Sequence, residues 1–300
     1  MTTTEPRRAH SIAEFNAGAG KFFDPQEIGA SIASWRPRPT DIVISPFAKC
    51  GTTWLQQIFH TLRTRGDMDF DDISRVVPWI EMAIAVGLDI EAPQRAGPRG
   101  FKSHLAYDAL PPGAKGIVSF RDPRDALVSM YRFMEGWFIE PGAVSMEDFA
   151  DNWIGRDASR SYWGHLLSWW NARHNPAVLA MSYEQMIAHP EASIRRVAAF
   201  CDIALDDDLL ALTLERSSIS YMLAHKDRFD DAMNRKMSEL RSNLPSGSDS
   251  SKVRQGGVGG HKAELTPEII ARLDAKWREL VTPVTGFADY AALEASLRTE

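Results

Sequence analysis

The segment Lys49-Cys50-Gly51-Thr52-Thr53-Trp54 places a cation, a glycine and two hydroxyls within one short turn. It follows the β-branched run Ile42-Val43-Ile44, which is typical of a buried strand, and it leads into a helical pattern. The first N–H groups of a helix have no partner within that helix, so they point at the turn together with the positive end of the helix dipole. Together with the charge of Lys49, these groups predict an anion site. An ordinary strand-to-helix connection with a surface lysine is the alternative.

The order of the residues in this turn restricts the kind of phosphate compound it could bind. A nucleotide-hydrolysing P-loop places its lysine after the last glycine and uses the next hydroxyl to hold Mg²⁺. Here Lys49 precedes Gly51. Glycine permits a tight turn, Thr52 or Thr53 is the expected helix cap, and the ring of Trp54 offers a flat face for a purine. The turn is therefore P-loop-like without having the order of a nucleotide-hydrolysing P-loop.

A second pair of reactive side chains, Lys102 and His104, lies in Gly100-Phe101-Lys102-Ser103-His104-Leu105. Side chains repeat every second residue in an extended segment, so we expect the lysine and the histidine to point to the same side. A histidine with an ordinary pKa of about 6.5 can act as a base near neutral pH. A lone histidine is more commonly a packed or surface residue, but its pairing with Lys102 downstream of an anion loop favours a catalytic role.

Arg121 follows another apolar run, Gly116–Phe120, where a helix is expected to begin. Asp122 is a suitable N-cap, and Pro123 fits the first helical turn. An arginine fork matches a pair of phosphate oxygens better than a lysine does. A Mg²⁺-dependent kinase is expected to have a metal-binding carboxylate at this strand end. Arg121 takes that place, although the adjacent Asp122 keeps an ATP-dependent small-molecule kinase as an alternative.

Together these segments resemble the cytosolic, PAPS-dependent sulfotransferase family, in which PAPS is 3′-phosphoadenosine 5′-phosphosulfate. The first turn resembles the family's loop Pro-Lys-Ser-Gly-Thr-Thr-Trp, with Cys50 in place of the serine. Lys102 to Leu105 resembles Lys-Thr-His-Leu, and Arg121 to Ser129 resembles Arg-x-Pro/Ala-x-Asp-x-x-x-Ser. The motifs occur in the same order as in the family, and this shared order is a more specific signal than any single motif. The resemblance spans roughly residues 41–267.

Three further segments resemble the family's nucleotide site. Tyr183 ends an apolar run at residues 177–181, as in the family's Tyr-Glu-Asp-Met. Ser217 to Met222 resembles Thr-Ser-Phe-x-x-Met, with Ile219 for the phenylalanine. Arg254 precedes a glycine-rich run that resembles Arg-Lys-Gly-x-x-Gly-Asp-Trp-Lys, although a flexible linker is the usual explanation of such a run. The chain departs from this last pattern at Gln255, Gly260 and His261.

The resemblance implies in-line transfer of a sulfuryl group from PAPS to a hydroxyl or amine, without a metal and with adenosine 3′,5′-bisphosphate (PAP) as product. It implies His104 as the base, Lys49 and Lys102 as stabilisers of charge on the transferred group, and Arg121 with Ser129 as ligands of the 3′-phosphate. The implied donor-binding set is Lys49, Cys50, Gly51, Thr52, Thr53, Trp54, Arg121, Ser129, Tyr183, Ser217, Ile219, Arg254, Gln255 and Gly256. Trp79 and Phe138 are expected to line the pocket of a small, apolar or aromatic acceptor.

The alternation of apolar runs with helical segments predicts an α/β fold: a mainly parallel central sheet flanked by helices, with ligands at the carboxyl ends of the strands. We expect a single sulfotransferase domain over residues 1–300 with a P-loop-like phosphosulfate loop. Residues 1–40 are expected to form an N-terminal extension. Residues 244–262 are expected to form a mobile, glycine-rich loop that closes over the nucleotide.

Composition narrows the partners and the compartment. The chain has 34 Lys and Arg against 40 Asp and Glu, a net charge of −6, which argues against a nucleic-acid partner and requires an anion site to be built locally. The N-terminus lacks the apolar core of a secretory signal, and no apolar run approaches transmembrane length. Cys50 and Cys201 alone do not make a disulfide framework, which favours the cytoplasm. A homodimer and a non-catalytic nucleotide-binding module stay open.

Overall fold

The computed structural model describes residues 5–157, 161–247, 252–254 and 256–297. At its centre lie four strands: β1 (Ile42–Ile44), β2 (Gly100–Lys102), β3 (Lys115–Phe120) and β4 (Val178–Ser182). They form one sheet in the order β2-β1-β3-β4, and every neighbouring pair is parallel. Parallel neighbours need crossover connections, which helices supply here. The predicted parallel sheet is therefore confirmed.

Helices account for most of the remaining chain that the structure describes. The α-helices are α1 (Ile12–Phe22), α2 (Pro25–Ser34), α3 (Thr52–Thr64), α4 (Ile73–Val76), α5 (Pro123–Glu135), α6 (Met146–Ile154), α7 (Tyr162–Ala172), α8 (Tyr183–Ala188), α9 (Pro190–Phe200), α10 (Asp207–Arg216), α11 (Ile219–Ala224), α12 (Ala232–Ser242), α13 (Pro267–Lys276), α14 (Thr282–Thr285) and α15 (Tyr290–Ser296). Short 3₁₀ turns lie at Ile80–Met82, Tyr107–Ala109, Lys226–Phe229 and Gly260–Ala263, and a π turn at Trp277–Val281. None of the helices in the described ranges has the length and apolar character needed to cross a membrane.

The sheet is buried on both faces, as the apolar strand runs predict. Successive side chains of a strand point to opposite faces. Ile42 and Ile44 accordingly belong to one buried cluster, which also contains residues of α3, α9 and α10. Val43 between them belongs to a different cluster, with Trp35 and Phe101. In β3, Ile117 belongs to the first of these clusters, whereas Val118 packs with residues of α5 and α7. The prediction of helices on both sides of the sheet is therefore confirmed.

The aromatic residues between 131 and 170 mostly form core. Phe138 is 1 % exposed. Its ring lies against those of Phe15, Phe22 and Trp137, at centroid distances of 5.0–6.2 Å. The structure therefore places Phe138 in the core and not in the wall of an acceptor pocket, contrary to the prediction, because the N-terminal helix α1 covers it.

The N-terminal segment is part of the packed body rather than a loose extension. Phe15 and Phe22 of α1 are buried, and the N–H of Ala9 donates to the carbonyl of Phe138 at 2.8 Å. Ser31 of α2 donates its hydroxyl to the carbonyl of Ile80 at 2.6 Å. These contacts hold residues 5–40 against the elements that surround the strand ends.

Candidate active site

The carboxyl edge of the sheet gathers the residues that the sequence singled out. Lys49 follows β1, Lys102 ends β2, Arg121 follows β3 and Tyr183 follows β4. Because all four strands are parallel, these residues emerge at one edge. Residues from four separate segments are thereby brought to one place.

The turn after β1 opens α3 with Gly51 as the N-cap, in a left-handed conformation with φ 101°. The first helical hydrogen bond runs from the N–H of Leu55 to the carbonyl of Gly51 at 3.0 Å, so the preceding N–H groups face the turn. The prediction of Thr52 or Thr53 as the cap is wrong, because the chain enters the helix one residue earlier. Oγ1 of Thr52 is buried and has no partner among the described residues. Orphan donors at a helix N-terminus fit an anionic ligand.

We expect Gly51→Ala to lower the free energy of unfolding by about 1–3 kcal/mol. A Cβ at this position would lie 3.1 Å from the Tyr183 ring and 3.2 Å from Oγ of Ser119, at a φ that side chains rarely adopt. Urea unfolding measures the change. The matched control is Gly20→Ala in α1, where a Cβ meets nothing within 4 Å and a gain of up to about 1 kcal/mol is expected. Equal effects at the two sites would contradict the prediction.

The side chain of Lys49 is half-buried and has no ion pair with any carboxylate in the described part of the chain. Its Nζ lies 4.1 Å from the ring centroid of Phe133 and 3.4 Å from the carbonyl oxygen of Lys252. Desolvation, followed by the charges of Lys252 and Arg121, lowers the pKa of Lys49 to about 7. An anion bound here would restore the charge of this ammonium. Phe133 was missed by sequence reasoning, although it lies one helical turn beyond Ser129 on α5.

Lys102 and His104 meet on the indole ring of Trp79. Nζ of Lys102 lies 3.9 Å from the indole centroid, and the imidazole of His104 packs edge-on against the same ring at 5.1 Å. The expectation that the two side chains share one side is confirmed. Burial lowers the pKa of Lys102 to about 8, although the carboxylate of Asp231 opposes this shift. Trp79 thus lies beside the two residues, and its place in the wall of an acceptor pocket stays a prediction.

The hydrogen bonds of His104 determine which ring nitrogen can accept a proton. Nδ1 lies 2.8 Å from the carbonyl oxygen of Pro46. A carbonyl only accepts, so Nδ1 carries the hydrogen and Nε2 keeps its lone pair. The ring makes no other hydrogen bond within the described ranges. The backbone N–H donates to Oε1 of Glu81 at 2.7 Å, a contact that the sequence did not reveal.

The pKa of His104 differs from the ordinary value that the sequence suggested. Burial, followed by the charge of Lys102, lowers this pKa to about 3. The histidine is therefore neutral near pH 7, with Nε2 available as an acceptor. It is a weaker base in the free protein than an exposed histidine.

Arg121 ties the turn after β1 to the glycine-rich segment. Nη1 donates to the carbonyl of Lys49 at 2.8 Å, and Nη2 donates to the carbonyl of Gly257 at 3.1 Å. The guanidinium lies 4.2 Å from the ring centroid of Tyr183, which also contacts Trp54 edge-on at 5.8 Å. Nε of Arg121 is buried without a partner in the described part of the chain. The fork therefore keeps hydrogen-bonding capacity for a ligand.

Asp125 of α5 anchors the end of the glycine-rich segment. It accepts the N–H groups of Gly259 and His261 at 2.7 and 3.0 Å and contacts Nδ1 of His261 at 2.8 Å. His261, which departs from the family pattern, thereby fixes this segment to the helix that follows Arg121. Sequence reasoning missed Asp125, although it lies only four residues after Arg121. The predicted mobile loop falls partly on residues 248–251 and 255, outside the described residues.

The other residues that the sequence predicts to bind PAPS differ in their surroundings. A Cβ on Gly256 would lie 2.9 Å from Ile219, so these two residues are in contact. The hydroxyl of Ser217, which follows the end of α10, donates to the carbonyl of Thr213 at 2.6 Å and is thus used by that helix. Burial raises the pKa of Cys50 to about 12, which keeps this thiol protonated. Ser129 is half-buried, Arg254 is exposed, and Gln255 lies outside the described residues.

Asp231 is a buried carboxylate that sequence reasoning missed. It forms ion pairs with Lys102 at 3.2 Å and with Lys252 at 2.6 Å. Burial alone would raise the pKa of Asp231, but the two lysines hold it well below its ordinary value. Burial, followed by the charge of Asp231, raises the pKa of the nearby Asp72. Two lysines therefore share one ionised carboxylate, and the charge of the same carboxylate also acts on Lys49.

Several known sulfotransferases are similar to this chain. The model of a family described as "Sulfotransferase domain" matches residues 39–284. "Sulfotransferase 1 family member D1" of Mus musculus is 30% identical over 217 residues, covering 68% of this chain and 73% of the relative. "Cytosolic sulfotransferase 17" of Arabidopsis thaliana is 28% identical over 265 residues, covering 82% of this chain and 75% of the relative.

Two solved structures have the same fold. Retinol dehydratase, in complex with androsterone and inactive cofactor PAP, has a TM-score of 0.70 at 16% identity, covering 93% of this chain and 96% of that one. A mouse sulfotransferase complexed with PAP has a TM-score of 0.67 at 22% identity, covering 91% of this chain and 94% of that one. At these identities the likeness is one of fold.

Proposed function

This chain belongs to the sulfotransferase domain family, and on that premise we propose that it transfers the sulfuryl group of PAPS to a hydroxyl or amine of a small, apolar or aromatic acceptor. One observation carries the proposal: two buried lysines share a single carboxylate, beside a neutral histidine whose Nε2 accepts no hydrogen bond from the described residues. The first property suits a polyanionic donor, and the second suits removal of a proton from an acceptor.

Polar groups without a protein partner among the described residues lie at the strand ends, and they suit the two anionic ends of PAPS. The unpaired N–H groups at the start of α3, Oγ1 of Thr52 and the ammonium of Lys49 would hold the 5′-phosphosulfate. Arg121, whose Nε has no partner among the residues that the structure describes, would hold the 3′-phosphate. Trp54 and Tyr183 supply ring faces for the purine. Structures of family-fold proteins with PAP support the choice of donor.

Transfer would be in-line and would make and break one bond at sulfur. The acceptor oxygen or nitrogen forms a bond to sulfur as the bond from sulfur to the bridging phosphate oxygen breaks. PAP leaves with that electron pair on its 5′-phosphate. Nε2 of His104 takes the acceptor's proton, while Lys49 and Lys102 stabilise the charge on the bridging and sulfuryl oxygens. The protein's contribution is mainly positioning and charge stabilisation.

We expect the affinity for PAP to fall as the pH rises above about 7. The pKa of Lys49 is lowered to about 7 and that of Lys102 to about 8, so both ammoniums lose their charge in the free protein over this range. A bound anion favours the charged form, so each required proton weakens binding by up to about tenfold per pH unit above its pKa. Calorimetric titration from pH 6.5 to 9.5 at constant ionic strength measures the trend. A constant affinity up to pH 9.5 would show that the two lysines do not bind the ligand.

Calorimetric titration with PAP and, separately, with ATP, both without Mg²⁺, tests the donor. Tight binding of PAP with little response to ATP supports the proposal, and a screen of phenols, alcohols and amines with labelled PAPS then identifies the acceptor. Preference for ATP, or binding of neither compound, overturns the proposal.

We also propose that the enzyme works in the cytoplasm. Cys50 and Cys201 are both unpaired and buried, which suits a reducing compartment, and a relative is named as cytosolic. A homodimer and the absence of a nucleic-acid partner stay predictions from the sequence.

A further inference from the structure

The ammonium groups of Lys102 and Lys252 share the carboxylate of Asp231. Their Nζ atoms lie 3.2 and 2.6 Å from the same oxygen, Oδ2. The side chains of Lys102, Lys252 and Asp231 are only 2, 9 and 3 % exposed. Two like charges this close would repel strongly in a buried site without the carboxylate between them. Asp231 is thus what allows both ammoniums to lie at the end of β2.

The backbone of Asp231 directs its carboxylate to the lysines instead of to its own helix. Asp231 precedes α12 at the N-cap position, where an aspartate normally accepts an N–H of the first turn. It makes no such bond, and its φ of 49° lies in the left-handed region. Oδ1 instead accepts the hydroxyl of Ser74 at 3.1 Å. Asp231 therefore has a strained backbone and does not cap the helix that follows it, which indicates another role for its carboxylate.

Lys252 is linked to both lysines of the predicted reaction centre, to Lys49 directly and to Lys102 through Asp231. Its side chain reaches the carboxylate that holds Lys102, and its carbonyl oxygen lies 3.4 Å from Nζ of Lys49. The same segment lacks the lysine that the family pattern has at the position of Gln255. Lys252 supplies a lysine to this segment three residues earlier.

We propose that Lys252 is a third cation of the reaction centre, which binds the 5′-phosphosulfate end of the donor together with Lys49 and Lys102. Asp231 is the positioning residue that holds Lys102 and Lys252 side by side. This inference rests on the proposed function, because it requires PAPS as the donor. Compact ammonium groups suit the oxygens of a phosphosulfate as point charges.

Asp231 and Lys252 have opposite effects on the pKa values of Lys102 and Lys49, so their two roles can be tested separately. Asp231 raises the pKa of both lysines, and Lys252 lowers it. The other titratable or charged groups that act on the two lysines or lie beside them are Asp72, Arg121 and His104. Loss of Asp231 and loss of Lys252 therefore shift the pKa values of Lys49 and Lys102 in opposite directions.

Calorimetry with two nucleotides tests which end of the donor Lys252 binds. Lys252→Met should weaken PAP binding about tenfold to hundredfold, as expected for a lost contact to a charged group, and leave adenosine 3′-phosphate within about twofold. The control is Lys236→Met, which removes an exposed lysine of α12 and should change neither affinity. Unchanged PAP binding by Lys252→Met, or equal weakening of both nucleotides, overturns the inference.

The pH dependence of PAP binding tests the positioning role of Asp231. The alkaline loss of affinity should move to higher pH in Lys252→Met and to lower pH in Asp231→Asn, whereas a merely structural role moves neither. Shifts in the same direction overturn the role of Asp231. If Asp231→Asn does not fold, the Lys252→Met measurements decide alone. Failure of the wild-type protein to bind PAP would be a failure of the proposed function and would be seen before any variant is made.

Discussion

Replacement of His104 by alanine should lower the turnover number about 10²- to 10⁴-fold, the usual contribution of a general base. The affinity for PAP should stay within about threefold of the wild-type value, because the imidazole contacts Trp79 and the carbonyl of Pro46, neither of which is a proposed ligand of PAP. Turnover is measured with labelled PAPS and the acceptor found in the screen. PAP affinity is measured by calorimetry.

A second histidine provides the control for this experiment. His174→Gln removes an exposed imidazole and should leave turnover unchanged, while His104→Gln should be as defective as His104→Ala. Turnover that survives in His104→Ala would show that another group takes the proton. Equal losses of turnover and of PAP affinity would indicate that His104 supports the donor site instead.

Replacement of Arg121 by alanine should weaken PAP binding about 100-fold, or about 3 kcal/mol, because hydrogen bonds to charged groups contribute about 1.5–3 kcal/mol each. The fork also joins the carbonyls of Lys49 and Gly257, so its loss loosens the contact between the two loops. Binding of adenosine 5′-phosphate, which lacks the 3′-phosphate, should change much less. Calorimetric titration with both nucleotides separates these effects.

Two variants control for charge and for geometry in the Arg121 experiment. Arg195→Ala removes an exposed arginine that pairs with Glu191 on α9 and should leave binding unchanged. Arg121→Lys keeps the charge but cannot reach both carbonyls, so it should recover only part of the affinity. If Arg121→Ala binds PAP as tightly as the wild-type protein, the 3′-phosphate lies elsewhere.

The strand ends and their reactive residues could be predicted because their signals are local. A β-branched run followed by a glycine turn defines β1 and α3 within about twenty residues, and the same logic located Arg121 after β3. Parallel strands then bring such ends to one edge regardless of their separation in the chain. Lys49 and Arg121 follow from these local signals, and Lys102 and His104 from their spacing of two residues in an extended segment.

Contacts between distant segments could not be predicted, because no spacing or period encodes them. Lys102 and Asp231 are 129 residues apart, and Asp231 reads as an ordinary helix cap in the sequence. Lys252 belongs to a polar run whose usual meaning is a loop. Phe138 was predicted to line a pocket, but helix α1 covers its ring, and that contact is between distant segments.

The sequence alone determined the type of fold, the order of the strand-end motifs and the residue types available for chemistry, because hydrophobic period and turn residues act over short distances. Only the tertiary structure decided how those residues are charged. The lowered pKa of Lys49 arises from desolvation and from the charges of Lys252 and Arg121, and that of His104 from desolvation and the charge of Lys102. The shared carboxylate arises because Asp231, just before α12, meets Lys102 at the end of β2. Burial and proximity depend on the whole chain, so these electrostatic properties exist only in the folded molecule.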